Sequence, residues 1–135
     1  VKFYIATKLE NHLTHNGVRD ELLLHGHEIT YDWTTHGSVQ ETTLERIREV
    51  AELEANGVID CDVCIVLWPG GRGTHVELGM AIALGKTVVF VSDVIDHHHA
   101  TRETCAFYHH PSVIRCCGFS EMWDAVRGIT EAATP

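Results

Sequence analysis

DVCIVLWPGGRGTHVELGMAIALGKTVVFVS, residues 62–92, decides the fold. Asp62 opens a nearly continuous apolar run, Val63 to Leu67, of the kind a strand needs when both of its faces are buried in a parallel sheet. The glycine-rich turn PGGRG follows, and Thr74 to Leu84 reads as a helix that closes at Gly85. Lys86 to Ser92 then supplies another β-rich run. Strand, helix and strand in succession are the unit from which parallel α/β sheets are assembled.

Upstream, Val1 to Ala6 predicts a first strand, and Val18, Leu22 and Leu23 mark a helix that stops at the Gly26 breaker. HEITYDW, residues 27–33, predicts a second strand, with a polar loop from Thr34 to Ser38 after it. Leu44, Ile47, Val50, Ala51 and Leu53 recur at helical spacing and predict a long amphipathic helix. Downstream, the histidine-rich residues 93–110 read as a long loop, Ser112 to Cys116 as a short last strand, and Ser120 to Ala133 as a helix capped by its serine. The expectation is one α/β domain over residues 1–135, doubly wound and Rossmann- or flavodoxin-like, with about five parallel strands and helices on both faces. In such sheets ligands bind outside the carboxyl ends of the strands, near the switch in strand order. The loops after Ala6, Trp33, Trp68 and Ser92 are therefore expected to converge.

Composition narrows the partners. Ten Lys and Arg against 19 Asp and Glu give a formal charge of -9, which opposes a nucleic-acid polymer, since such binding rests on neutralising many phosphates. A nucleotide monomer needs only one or two local cations and stays compatible. No apolar run approaches the roughly 20 residues that span a bilayer, and the N-terminus lacks the pattern of a secretory signal, so a cytoplasmic address is expected. The five cysteines form no even framework, which favours reduced thiols. Cys61 and Cys64 have CxxC spacing, but Cys64 falls inside the apolar run and no second CxxC offers the rest of a zinc site. His97, His98 and His99, with Asp96, and the pair His109 and His110 point in different directions along a loop, which favours a mobile lid or a subunit contact over a metal site. Neither a metal nor a cofactor is expected.

The PGGRG turn and the helix after it carry the chemistry. Gly70, Gly71 and Gly73 permit a tight turn and close approach of backbone amides, and a helix beginning at Thr74 aims its unpaired amides at the same place. Arg72, set between the glycines, adds a charged fork for a phosphate or carboxylate. Glu77 falls on the first turn of that helix, where the dipole favours the ionised form suited to a nucleophile. The same spacing has another meaning, because Thr74 and Glu77 also fit a capping box. Trp33 and His36 lie where an aromatic ring stacks on a base, although Trp33 fits a core or rim position equally well. His75 projects from the helix start toward substrate or solvent.

Residues 62–91 resemble the nucleoside 2-deoxyribosyltransferase superfamily, which includes the 2-deoxynucleoside 5-monophosphate N-hydrolases. The shared pattern is a buried strand opened by Asp62, a polar turn, a glycine, ELGMAIALGK and another strand; KFYIA resembles the family's first strand. The resemblance implies an enzyme that breaks an N-glycosidic bond, with Glu77 as catalytic glutamate, Tyr4 as the first-strand aromatic and Glu54 where the family often has an aspartate in its active site. It places Thr7, Asp62 and the turn among the substrate contacts and implies a homo-oligomer. Ala6, Thr7 and Lys8 replace the Gly-Pro or Gly-Ser usual after the first strand. Gly71 stands where transferases tend to carry an aspartate and monophosphate hydrolases a serine, which, with Arg72 adjacent, favours a phosphorylated substrate. PGGRGTHVE is also similar to the signature of the cytokinin-activating phosphoribohydrolases, which cleave the same class of bond. A nucleotide sensor without catalysis is the alternative on this scaffold.

Overall fold

The structure, a computed structural model, describes residues 1–36 and 42–134. Five strands, β1 (Lys2–Ala6), β2 (Glu28–Ile29), β3 (Val63–Leu67), β4 (Thr87–Val91) and β5 (Val113–Cys116), form one sheet in the order β2-β1-β3-β4-β5. Every pairing is parallel, with Tyr4 beside Cys64 and Val66 beside Phe90. The helices are α1 (His12–Leu24), α2 (Leu44–Asp60), α3 (Arg72–Ala83) and α4 (Phe119–Ala132). The chain thus has the doubly wound arrangement that its alternation predicts, and the order of strands reverses between β1 and β3.

Alternation along the strands divides the core in two. Phe3 and Ile5 of β1 join Val18 and Leu22 of α1 and Met122 and Val126 of α4, while Tyr4 and Ala6 face Val58 of α2 and Leu78 and Ala81 of α3. All five residues of β3 are buried, as its apolar run requires. Gly85, at φ 73°, ends α3 in the left-handed conformation that glycine adopts without a Cβ clash.

Three boundaries differ from the sequence reading. The second strand is Glu28–Ile29, not residues 27–33, because Asp32 ends it: its carboxylate accepts the Thr34 backbone N–H at 3.0 Å and starts a 3-10 turn, Trp33–Thr35. Arg19 of α1 holds the same carboxylate at 2.8 Å. Residues 37 and 38 of the expected polar loop lie outside the described residues. α4 begins at Phe119 with Gly118 as its cap, one residue before the expected serine, and α3 begins at Arg72, not Thr74.

Residues 93–110, expected as a loop, carry local structure. Two 3-10 turns, Ile95–His98 and Ala106–His109, pack on the carboxyl end of β4. The ring of buried His97 stands edge-on to Trp68 at 4.4 Å, its Nδ1 lies 2.7 Å from the Ser92 hydroxyl, and its carbonyl accepts from Thr104 at 2.6 Å. Tyr108 stacks on Phe90 at 4.0 Å. Among the described residues no cluster of His, Cys, Asp and Glu is placed to hold a metal ion, and no helix is long and apolar enough to cross a membrane.

Asp62, expected at the substrate, stands at the amino end of β3, the opposite edge of the sheet from the convergent loops. Its Oδ2 accepts the Lys2 backbone N–H at 2.8 Å and its own N–H donates to the Lys2 carbonyl at 2.8 Å, so it clamps the start of β1 to the start of β3. Asp62→Ala should cost about 1 kcal/mol of stability, the worth of one solvent-accessible bond to a charged acceptor. Urea unfolding of the variant checks this.

Candidate functional site

The carboxyl ends of β1 and β3, where the strand order switches, gather the candidate residues. The Thr7 hydroxyl donates to the Pro69 carbonyl at 2.9 Å and accepts from the Asn11 amide at 3.0 Å, and the Lys8 backbone N–H reaches the same carbonyl at 3.3 Å. The Trp68 N–H donates to the Val91 carbonyl at 2.9 Å. The loops after β1, β3 and β4 therefore meet as the topology requires.

α3 buries Thr74, Glu77, Leu78 and Ala81, the i, i+3, i+4, i+7 stripe that faces the sheet. One of those four positions holds a carboxylate. Glu77 is 7% exposed, and its Oε2 accepts a short hydrogen bond from the phenol of Tyr4, which is itself wholly buried in β1. Burial pushes the Glu77 carboxyl from its ordinary value near 4.5 up to about 8, the Tyr4 bond draws it back, and the charge of Glu54 adds to the rise. Burial, the Glu77 charge and the bond to Glu77 in turn raise the Tyr4 phenol, so the proton stays on tyrosine.

Two sequence expectations about Glu77 are corrected. With Gly71 as the cap, Glu77 lies on the second turn, and the dipole does not hold it ionised because desolvation outweighs it. Nor does it close a capping box: Thr74 Oγ1 accepts the Gly71 N–H at 3.1 Å, while Glu77 turns to Tyr4. Gly70 serves this cap, since a Cβ there would stand 2.8 Å from the Thr74 methyl.

Glu54 of α2 is half-buried, and burial raises its carboxyl while His36, whose Nε2 lies 3.4 Å from Glu54 Oε1, opposes the rise. Tyr31 stacks on the His36 ring at 6.0 Å. The structure thus brings Tyr4, Glu54 and Glu77 into one electrostatically coupled group, with His36 and Tyr31 behind it. Trp33 takes the core alternative: it is 5% exposed, donates from Nε1 to the Ile5 carbonyl at 2.7 Å and meets His15 edge-on at 4.9 Å. His75 is neither solvated nor open at both nitrogens, because Nδ1 lies 2.8 Å from the Gly71 carbonyl and Nε2 lies 2.7 Å from the Tyr108 hydroxyl. Gly71 sits at the helix start with exposed Arg72 and Gly73 following it.

Sequence reasoning missed Tyr31, Tyr108 and Gly57. The signal for Gly57 was available, a glycine inside a helical pattern, where it costs about 1 kcal/mol relative to alanine and so asks for a packing reason. A cavity of about 300 Å³ lined by Leu22, His25, Trp123 and Arg127 opens between α1 and α4, but it shares no residue with the Glu77 group.

Comparison with known proteins bears on this arrangement. The family model described as nucleoside 2-deoxyribosyltransferase matches residues 3–121. Among solved structures, a 2-deoxyribosyltransferase from Leishmania mexicana is similar at a TM-score of 0.60 and 16% identity, covering 92% of this chain and 95% of that one. A CMP N-glycosidase from Clostridium botulinum gives a TM-score of 0.51 and 17% identity over 85% and 87% of the two chains. At these identities the likeness is one of fold. A search of curated protein sequences finds no match.

The raised carboxyl has a measurable consequence. The folded protein keeps the Glu77 proton where the unfolded chain has lost it, so this group's contribution to stability falls as pH rises from about 4.5 to about 8. Glu77→Gln should flatten stability across that window and leave a protein more stable than the wild type near its upper end. Urea unfolding at a series of pH values checks the sign.

Proposed function

Because the chain belongs to the nucleoside 2-deoxyribosyltransferase family, we propose that it breaks the N-glycosidic bond of a nucleotide, with Glu77 as the attacking carboxylate. The observation that carries the proposal is the placement of Glu77: a single carboxylate in the sheet-facing stripe of α3, bonded by the Tyr4 phenol at the switch in strand order. No capping duty accounts for it. Once Glu77 has lost its proton to solvent, its carboxylate oxygen bonds to the anomeric carbon as the carbon–nitrogen bond breaks, and the base leaves with that electron pair and a proton from Glu54. Water, or a second base, then attacks the same carbon, returns a proton to Glu54 and frees the Glu77 carboxylate. The Tyr4 phenol orients the nucleophile and, by donating to it, stabilises the carboxylate before attack and again as it is released.

Phosphorylation of the substrate is favoured by what surrounds Gly71. Lys8 Cβ lies 3.7 Å from where a Gly71 Cβ would stand, and Arg72 follows on the first helical turn, so two cationic residues flank a helix N-terminus in a chain of formal charge -9. The same reading makes the protein a cytoplasmic homo-oligomer acting on monomeric nucleotides, without metal or cofactor.

Glu77→Gln should lower release of free base, followed by chromatography, by two or more orders of magnitude while the protein stays folded. Near wild-type release would overturn the role given to Glu77. Complete lack of release by the wild type from any nucleoside or nucleotide, alongside thermal stabilisation by a nucleotide, would make the protein a sensor. Arg72→Ala should weaken a nucleoside monophosphate by about tenfold or more, the worth of a charge-assisted bond, and the matching nucleoside hardly at all. Equal losses would move the phosphate elsewhere.

A further inference from the structure

Gly57 lies inside α2, buried, and carries no side chain where the helix crosses β1. A Cβ at that position would stand 2.8 Å from both Cδ2 and Cε2 of Tyr4 and 2.9 Å from Cβ of Tyr31, separations that packed carbons do not tolerate. Two hydrogen bonds oppose a retreat of the helix. The Gly57 carbonyl accepts from the Thr30 hydroxyl at 2.6 Å, and the Thr30 N–H donates to the Phe3 carbonyl at 2.9 Å, so α2 is tied to the β1 edge at this level. The Tyr4 ring is therefore held between the bare backbone of α2 and its neighbours Val58, Cys64 and Leu78, with its hydroxyl on Glu77.

Resting on the role given above to Glu77, we propose that Gly57 is a positioning residue for the reaction: its missing side chain is the notch that lets Tyr4 lie flat enough for its phenol to meet the nucleophile. A methyl group at residue 57 pushes on the ring, and a ring pinned at its α-carbon in the sheet answers by tilting its far end, the hydroxyl. Glu77 then loses the interaction that draws its proton affinity down. The titratable groups facing Glu77 are Tyr4 from β1, Glu54 from α2 and Cys64 from β3, and of these Tyr4 stands nearest the notch.

The test compares Gly57→Ala, Tyr4→Phe, the double variant and Glu77→Gln, each checked for a cooperative melt. The titration of Glu77 is read from carboxyl carbon NMR, its signal being the one that Glu77→Gln removes, and turnover is read as released base. Gly57→Ala should raise the Glu77 midpoint in the same direction as Tyr4→Phe and lower turnover by about 10- to 100-fold, as small misplacements of catalytic groups do. Added to Tyr4→Phe, it should cost little more. An unmoved midpoint, or an undiminished loss in the Tyr4→Phe background, overturns the proposal. Should Gly57→Ala fail to fold, Tyr4→Leu is combined with it. Recovery of the fold supports the notch, and continued unfolding assigns the glycine to Tyr31 and overturns it. Full base release by Glu77→Gln would instead overturn the role of Glu77, while the titration in Gly57→Ala still decides the positioning by itself.

Discussion

A carboxylic acid buried against a phenol is the interaction on which the rest of this molecule depends. An isolated charge taken out of water costs several kcal/mol even after relaxation, so a carboxylate in a helix stripe that faces a sheet is stable only when neutral or well partnered. Glu77 is held at that balance: burial drives its proton affinity up, and the Tyr4 bond pulls it down. Without Tyr4 the carboxyl would hold its proton more tightly still. Without burial it is an ordinary surface carboxylate with no reason to be reactive. Catalytic groups tuned toward neutrality arise from this kind of opposition.

Topology brings the pair together across 73 residues. In the order β2-β1-β3-β4-β5 the first strand lies beside the third, so the helix that follows β3 passes over the side chains of β1 on one face of the sheet. Tyr4 points to that face because it alternates with Phe3 and Ile5, which face α1 and α4. A shift of one residue in β1 would exchange those sets and place a phenylalanine or isoleucine beside Glu77. The clamp between Lys2 and Asp62 supports that register at the far end of the strand, so Asp62 bears on the Tyr4–Glu77 pair through the fold.

The sheet, its parallel sense and the carboxyl-end location of the site were legible because β3 announces itself as a doubly buried strand and the segments around it alternate in period. Glu77 and Tyr4 were singled out through resemblance, and the structure adds the contact between them. The errors have a common origin in side chains that bond to backbone groups. Asp32 ended a strand early by capping a turn, a local competition that β-propensity does not register. Thr74 turned back to Gly71 and released Glu77 from the capping box that spacing alone suggests. Trp33 looked like a mouth residue from its polar neighbours, yet its indole N–H finds the Ile5 carbonyl inside. Gly57 went unread because its meaning lies wholly in what α2 lies against.

The histidine-rich segment packs against the turn at the start of α3. Tyr108 is fixed by its stack on Phe90, and its hydroxyl meets His75 Nε2, whose ring is joined through Nδ1 to the Gly71 carbonyl at the start of α3. From the other side, Thr7 and Lys8 hold the Pro69 carbonyl two residues earlier. The turn carrying Gly70, Gly71 and Arg72 is therefore braced by the loop after β1 and by the segment after β4 at once. Backbone amides at a helix start stabilise an anion most when they need no rearrangement to meet it, because the orienting cost has already been met in folding. Loops that pack tightly on each other are what such a site requires.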